Sequence, residues 1–400
     1  MTPSAAKNDR AELLVLGHGP AAAAAAIRAA QLGIQIVLLG RPTNSDPRPG
    51  ETLAPSAWPL LVRLGLSDLV TEHHLSSPGI VSAWESDEFF DQDFLFNPYG
   101  SGWHLDRVRF DQQLIQRAIE LGVTVARCDR LCSVMRRPDS EYWSITAQIG
   151  GQWKTFRGSF VIDATGRSSW LSHRLGNNSP IKFDRLLGIV GFLECCFDED
   201  SRTYLEAAED GWWYFANLPG QRSVAAFMTD RDLEPGAIRF KRLWYQRLPQ
   251  SRRGRFLSSF LARKQPVFRI AAAHSARLAT FFGENWAAVG DAAASWDPLS
   301  SQGISTALES GVRAVEEWYE HHPNATNQPV ELSGYADWLE QVWQDYVMSR
   351  QHFYGLVQRW PNSPFWQRRC RESTAGQFAV NGSESHKQRA LWEIKTSEGK

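Results

Sequence analysis

The chain has 400 residues, 43% of them hydrophobic and 22% charged, with a formal net charge of -1. That length exceeds what one compact core usually covers and predicts two lobes. The near-neutral charge, with no dominant Lys/Arg cluster, argues against a nucleic-acid partner. Of five cysteines, Cys195 and Cys196 are adjacent and Cys128/Cys132 lacks a second matching pair, so neither a disulfide framework nor a metal site is expected. A reducing cytoplasm fits that usage. The polar start has no signal-peptide layout, and Arg28, Gln31, Gly33 and Gln35 interrupt the apolar stretch from Ala21 to Leu39, so no membrane span is expected.

Residues 1–10 read as a disordered lead. Residues 12–16 (ELLVL) have the pattern of a buried parallel strand. They run into Gly17-His18-Gly19-Pro20-Ala21-Ala22 and then into an alanine-rich helical segment, 23–32. Gly33 closes that helix, and 34–39 (IQIVLL) is a second strand, completing a βαβ unit of the dinucleotide-binding type. A Pro/Gly-rich connection, 41–59, precedes a short helix, 60–69. Residues 81–102 alternate apolar and polar positions and predict strands of another sheet. Helical spacing over 107–121 ends at Gly122. A strand at 123–125, a meander at 131–134, 142–149 and 153–157, and a buried strand at 160–163 follow.

From 179 to 274, strand-like runs at 187–197, 212–217, 223–229 and 267–270 surround one charged helical stretch, 238–248. A strand at 286–289 leads through 298–303 into a helix at 304–321. A long amphipathic helix, 335–359, is capped by 361–371. These elements predict an α/β fold. A Rossmann-like domain takes 11–80, 105–175 and 275–325, and a second, mixed-sheet substrate domain takes 81–104 and 176–274. A C-terminal helical segment covers 326–372, and a mobile tail covers 373–400.

The glycine turn has a chemical purpose. Gly17 permits a tight turn, Gly19 lets backbone approach a pyrophosphate, and small Ala22 allows close helix–strand contact, while the helix start offers N–H groups to the anion. His18 reads either as a turn residue or as a ligand. The acid that usually holds the ribose is missing: its position is Gly40, followed by Arg41, so backbone and Arg41 bind the ribose or binding there is weak. Two more strand ends carry motifs, Asp163-Ala164-Thr165-Gly166-Arg167 and Val289-Gly290-Asp291-Ala292-Ala293. Asp291 can accept from a sugar-alcohol chain. The loop Asp297-Pro298-Leu299-Ser300-Ser301-Gln302-Gly303-Ile304 opens a helix whose N–H groups can stabilise negative charge on a flat ring.

The order GxGxxA, DATGRSSWL, VGDAAASWDPLSSQGI resembles the two-domain flavin monooxygenases of the p-hydroxybenzoate hydroxylase fold, and within them the tryptophan-halogenase-like branch. Gly50-Glu51-Thr52 resembles that branch's glycine-glutamate loop, and Trp103-His104-Leu105-Asp106-Arg107 resembles its arginine-led helix. The resemblance implies bound FAD, NADH or NADPH as reductant, O2, and an aromatic substrate. Halogenases of the branch need a lysine downstream of the glycine-glutamate loop, and none occurs between Lys7 and Lys154. Their W-x-W-x-I-P signature is also absent. The stretch GWWYFANLP and the tail motif around Trp360 and Trp366 look more like flavoproteins that mature tryptophan-derived quinone cofactors by hydroxylating a partner protein's tryptophan.

That resemblance makes the substrate a free aromatic molecule or a partner-protein tryptophan. Trp212, Trp213 and Tyr214 are then candidates for a pocket wall, with ordinary sheet packing as the alternative. Glu51 reads as a base, a flavin-side acceptor or a solvated loop carboxylate, and Ser301 is a second candidate for catalysis. Arg107 reads as a phosphate or ribityl ligand or as a helix-start surface charge. The competing activities are a flavin dehydrogenase or reductase of a small metabolite, and a non-catalytic maturation protein with a flavoenzyme's fold.

Overall fold

The computed structural model describes residues 10–375 except 43, 137–139, 141, 177, 195–198, 234–236, 262–263 and 322–329. Of the lead expected over 1–10, Arg10 instead opens the first strand and residues 1–9 lie outside the described residues, as does nearly all of the tail expected over 373–400. The fold is mixed α/β. Arg10–Leu16 is the first strand, and Leu13 to Leu16 are all fully buried, as a strand covered on both faces requires. It runs parallel to Ile36–Gly40 on one side and to Gln152–Asp163 on the other. Thr124–Arg127 and Trp286–Ala288 extend this eight-stranded sheet, both in parallel pairing. The register sets Leu16 beside Leu39 and Asp163, and Asp163 beside Ala288. The C-terminal ends of the parallel strands therefore line up at one sheet edge, where open α/β sheets hold their ligands. The helix Pro20–Gln31, which buries six consecutive alanines, packs against Gly303–His321.

Gln152–Asp163 is one strand where the sequence suggested two. It pairs antiparallel with Trp143–Ile149 over its first part, and from Arg157 onward it pairs parallel with Arg10–Leu16. The helix expected over 60–69 is two helices, Trp58–Leu64 and Ser67–His73, broken at Gly65 with φ of +67°.

A second sheet of seven strands runs in the order Val267–Ala272, Leu186–Glu194, Arg222–Asp230, Gly211–Leu218, Thr203–Ala208, Gly79–Ala83, Phe90–Asp93. All neighbours are antiparallel except Thr203–Ala208 with Gly79–Ala83. Successive residues face opposite sides. Trp213, Phe215 and Phe227 therefore pack with Trp244 of the helix Ala237–Arg247 on one face. Trp212 packs with Trp84, Tyr354 and Trp366 on the other. Each buried indole removes roughly 150–250 Å² from water, so these rings hold the smaller sheet to its helices. The C-terminal helices are Ser333–Gly355 and Pro364–Ala375. No helix among the described residues is long and apolar enough to cross a membrane.

Candidate functional site

Three strand ends meet at one edge of the larger sheet. Gly17 leaves the first with φ of +136°, and a Cβ there would sit 2.2 Å from the Ala164 carbonyl oxygen, so the turn admits only glycine. Gly19 is the N-cap and Pro20 the first residue of the helix, whose opening N–H groups carry no side-chain cap. Ala22 is fully buried in that helix.

Gly40 accounts for the missing acid. A Cβ at this position would lie 2.2 Å from the Gly17 carbonyl oxygen and 2.8 Å from His18 Cβ. The second strand approaches the glycine turn too closely for any side chain, Asp and Glu included. Arg41 points its Nε to the Asp129 carbonyl oxygen at 3.2 Å. Beside Gly40 stands His18, whose two ring nitrogens are closed to water and have no hydrogen-bond partner. Burial, with help from Arg127, lowers its pKa and keeps the imidazole neutral at pH 7.

Asp163, fully buried, builds the second strand end. Its carboxylate accepts from the Thr165 N–H at 3.0 Å, the Thr165 hydroxyl at 2.6 Å, and the Leu171 and Ser172 N–H groups at 2.8 and 3.4 Å. Arg167 donates to the His274 carbonyl at 2.6 Å and to the Trp296 carbonyl at 3.3 Å, and pairs with Asp291 at 3.4 Å. It thus ties the second strand end to the third. Desolvation raises the Asp291 pKa, opposed by Arg167 and Arg107.

Asp297 caps the short turn Pro298–Ser300, accepting from the Leu299 N–H at 3.0 Å. Ser301 follows with φ of +50°, and Gln302, Gly303 and Ile304 lead into Gly303–His321. What holds this loop from behind is not visible in the sequence. Tyr354 donates to Asp297 Oδ2 at 2.8 Å and accepts from Trp212 Nε1 at 2.9 Å. Tyr346 accepts from the Asp297 N–H at 3.0 Å and shares a 2.6 Å bond with Ser275. Arg350 pairs with Asp297 at 3.3 Å and with Asp184 at 3.2 Å. All three residues lie on Ser333–Gly355, so a C-terminal helix fixes the loop.

Glu51 sits on a loop facing the smaller sheet, 4% exposed. Burial pushes its carboxyl up to about 7. Its Oε2 accepts from the Gly50 N–H at 3.0 Å, while Oε1 is buried without a partner. The adjacent Thr52 hydroxyl and the Tyr214 phenol share a 2.7 Å hydrogen bond, and burial together with Glu51 raises the Tyr214 pKa so that the phenol stays protonated. Arg107 donates to the Pro49 and Gly50 carbonyls at 3.1 and 2.9 Å and pairs with Asp111 at 3.2 Å, and Arg48 pairs with the same carboxylate at 3.0 Å. Arg107 therefore shapes the loop that carries Glu51. The pocket wall expected from Trp212, Trp213 and Tyr214 needs one correction. Trp213 faces the opposite side of its strand, buried against Phe227 and Trp244, because only residues two apart share a face.

The aligned strand ends, the tight glycine turn, an imidazole with two orphaned nitrogens and an orphaned Glu51 oxygen together suit a dinucleotide of the kind that Rossmann-type folds bind. The chain belongs to the tryptophan halogenase family, matched over residues 91–390. It is 30% identical over 369 residues to the putative FAD-dependent oxidoreductase LodB of Marinomonas mediterranea, covering 90% of this chain and 96% of that one. Among solved structures it resembles the myxobacterial chondrochloren halogenase CndH, with a TM-score of 0.79 and 20% identity over 92% of this chain and 89% of that one. It also resembles the peptidyl tryptophan dihydroxylase QhpG, with a TM-score of 0.71 and 22% identity over 90% and 78%. The protein is accordingly a flavin-dependent oxidoreductase, as the three motifs implied.

Proposed function

We propose that the chain is an FAD-dependent monooxygenase that hydroxylates an electron-rich, indole-type ring, carried by a small molecule or by a tryptophan of a partner protein. The observation that carries this reading is the buried Glu51 beside Tyr214, a proton-holding pair in a family member with no lysine between Lys7 and Lys154. Halogen transfer of the family's kind has no lysine to use there.

Gly17, Gly19 and Ala22 would seat the pyrophosphate, and His18 would face the adenosine ribose in place of the acid that Gly40 excludes. Arg41, held by the Asp129 carbonyl, would lie beside that ribose. Arg107 and Asp291 would serve the ribityl side, and Pro298, Ser301, Gln302, Gly303 and Ile304 would frame the ring with the helix's free N–H groups. Once bound and reduced by NADH or NADPH, FAD supplies the activation of O2. Glu51, poised near 7, holds a proton at its unpartnered Oε1 below that pH and releases it above. The Tyr214 phenol stays a donor. Trp212 and Tyr214 share the face that meets the loop, and the Tyr354–Asp297 bond keeps that loop in place while the buried surroundings exclude water.

The test is the visible spectrum of the purified protein with FAD, then with NADH or NADPH in air. The reading expects a bound-flavin spectrum that bleaches on reduction, and oxygen uptake that rises when an indole-containing peptide or small molecule is added. Failure to bind FAD, or reduction with no response to any aromatic, would overturn it.

A further inference from the structure

A basic, aromatic-walled pocket lies on the face of the smaller sheet that packs Trp213, away from Trp212. Its cavity is about 450 Å³, with Phe89, Tyr204 and Phe256 as walls and Arg202, Arg252 and Arg255 among the charged lining. The charges differ in their engagement. Arg202 is taken up by Asp200 at 2.6 Å and Asp91 at 2.9 Å. Arg252 lies over the Phe89 ring at 4.5 Å, donates from its guanidinium to the Asp87 carbonyl at 2.8 Å and from its backbone N–H to the Glu206 carboxylate at 2.8 Å, and its guanidinium forms no ion pair among the described residues. Arg255 is exposed and likewise without an ion pair among them. A guanidinium held over a ring face still has N–H groups to offer a carboxylate.

The pocket belongs to a one-sided stretch of chain. Between Glu234 and Glu284 the sequence has eleven Lys and Arg residues and no Asp or Glu, in a protein whose formal net charge is -1. Among the exposed ones, Arg252 and Arg255 on Arg252–Ser258 line the pocket, while Arg239, Lys241 and Arg242 lie on Ala237–Arg247, where Lys241 sits over Phe268 of the opposite edge strand. The neighbouring loop adds apolar surface. Leu95 is 77% exposed and Phe96 94%. Consecutive exposed apolar side chains of this size mark an interaction surface more often than a solvated one.

We propose that this pocket and the loop over residues 94–101 form the docking surface for a partner polypeptide that carries acidic and apolar side chains on one segment. Carboxylates of the segment meet Arg252 and Arg255, and its apolar side chains cover Leu95 and Phe96. A polypeptide supplies both chemistries at side-chain spacing. A flat bilayer does not fill a concave pocket, and a phosphate backbone leaves Leu95 and Phe96 uncovered. The loop leads into Gly102–His104, which pairs with Thr52–Leu53, the strand that follows Glu51. The docking itself does not depend on the chemistry proposed at Glu51.

The experiment uses the full-length protein and fluorescence anisotropy of a labelled peptide of alternating Glu and Leu. Saturable binding is expected, weakened about tenfold or more by the double substitution Arg252→Ala/Arg255→Ala and separately by Phe96→Ser. These are surface changes, and melting curves confirm that the variants fold. Equal binding of a peptide with Gln in place of Glu overturns the proposal, as does unchanged binding by both variants. Binding of phosphatidylserine vesicles or poly(U) RNA, lost in the same variants while the peptide fails to bind, overturns it too.

Discussion

Glu51→Gln separates burial from charge at the candidate site. In the folded protein the Glu51 carboxyl titrates at about 7 against an ordinary 4.5, because burial outweighs the help of Arg107 and the Gly50 N–H. Each tenfold difference in proton affinity is worth about 1.4 kcal/mol, so the ionised form costs the folded state about 3 kcal/mol. The folded pKa is raised, so below about 4.5 both states are protonated and there is no penalty. As pH climbs to 7 the unfolded chain ionises first, stability falls, and the full cost is present above 7. The amide introduced by the substitution keeps an oxygen for the Gly50 N–H and never ionises. Urea unfolding of both proteins is expected to give nearly equal stability at pH 4.5 and a gain of up to about 3 kcal/mol for the variant at pH 8. A difference that does not change with pH would refute the reasoning, since it would mean that Glu51 is solvated or paired when ionised.

Gly40→Glu places the usual ribose acid where the Gly17 carbonyl already lies 2.2 Å from the new Cβ. FAD affinity is expected to fall by roughly tenfold or more, as for an overpacked site, in a flavin-fluorescence titration; tighter binding would show that the strand can move aside. His18→Ala is expected to weaken FAD by roughly five- to tenfold, the worth of one buried hydrogen bond, while leaving affinity for FMN, which lacks the adenosine, unchanged. Equal loss with both would make His18 a structural residue. Tyr354→Phe removes the donor to Asp297 and the acceptor of the Trp212 N–H. A loss of about 2–4 kcal/mol is expected in urea unfolding, because two buried polar groups lose a partner, with faster proteolysis near Pro298. A loss below about 1 kcal/mol would mean that water replaces the phenol.

The nucleotide-binding half was legible because its signals are local. A buried strand, a glycine turn and an alanine-rich helix follow one another within 22 residues, 10–31, and each dictates its own backbone. Longer-range facts were not. Gly40 looks like a defect in the sequence and is a close contact with Gly17 in space. Gln152–Asp163 looked like two strands because its first part is exposed and its last part buried, one strand serving two different partners. Thr203–Ala208 has no strand pattern to read, because buried Glu206 interrupts its apolar run. That carboxylate accepts from the Arg252 and Arg253 N–H groups, an arrangement no local reading can find. The helix Arg252–Ser258 it caps has little apolar spacing of its own. Strand alternation, by contrast, is local: it puts Trp212 and Tyr214 on one face and Trp213 on the other. The role of Tyr346, Arg350 and Tyr354 in holding the Asp297 loop has no local signature, because the partners come from the far end of the chain.

The central claim is oxygen transfer to an indole-type ring in a halogenase-family fold without the halogenase lysine. The most direct test is mass spectrometry of the products formed by the FAD-loaded protein with NADH or NADPH, O2, chloride and bromide together, and tryptophan-containing substrates, both free and in peptides. The expected products are heavier by oxygen, labelled when the O2 is isotopically heavy, and none bears halogen. A chlorinated or brominated ring would contradict the claim.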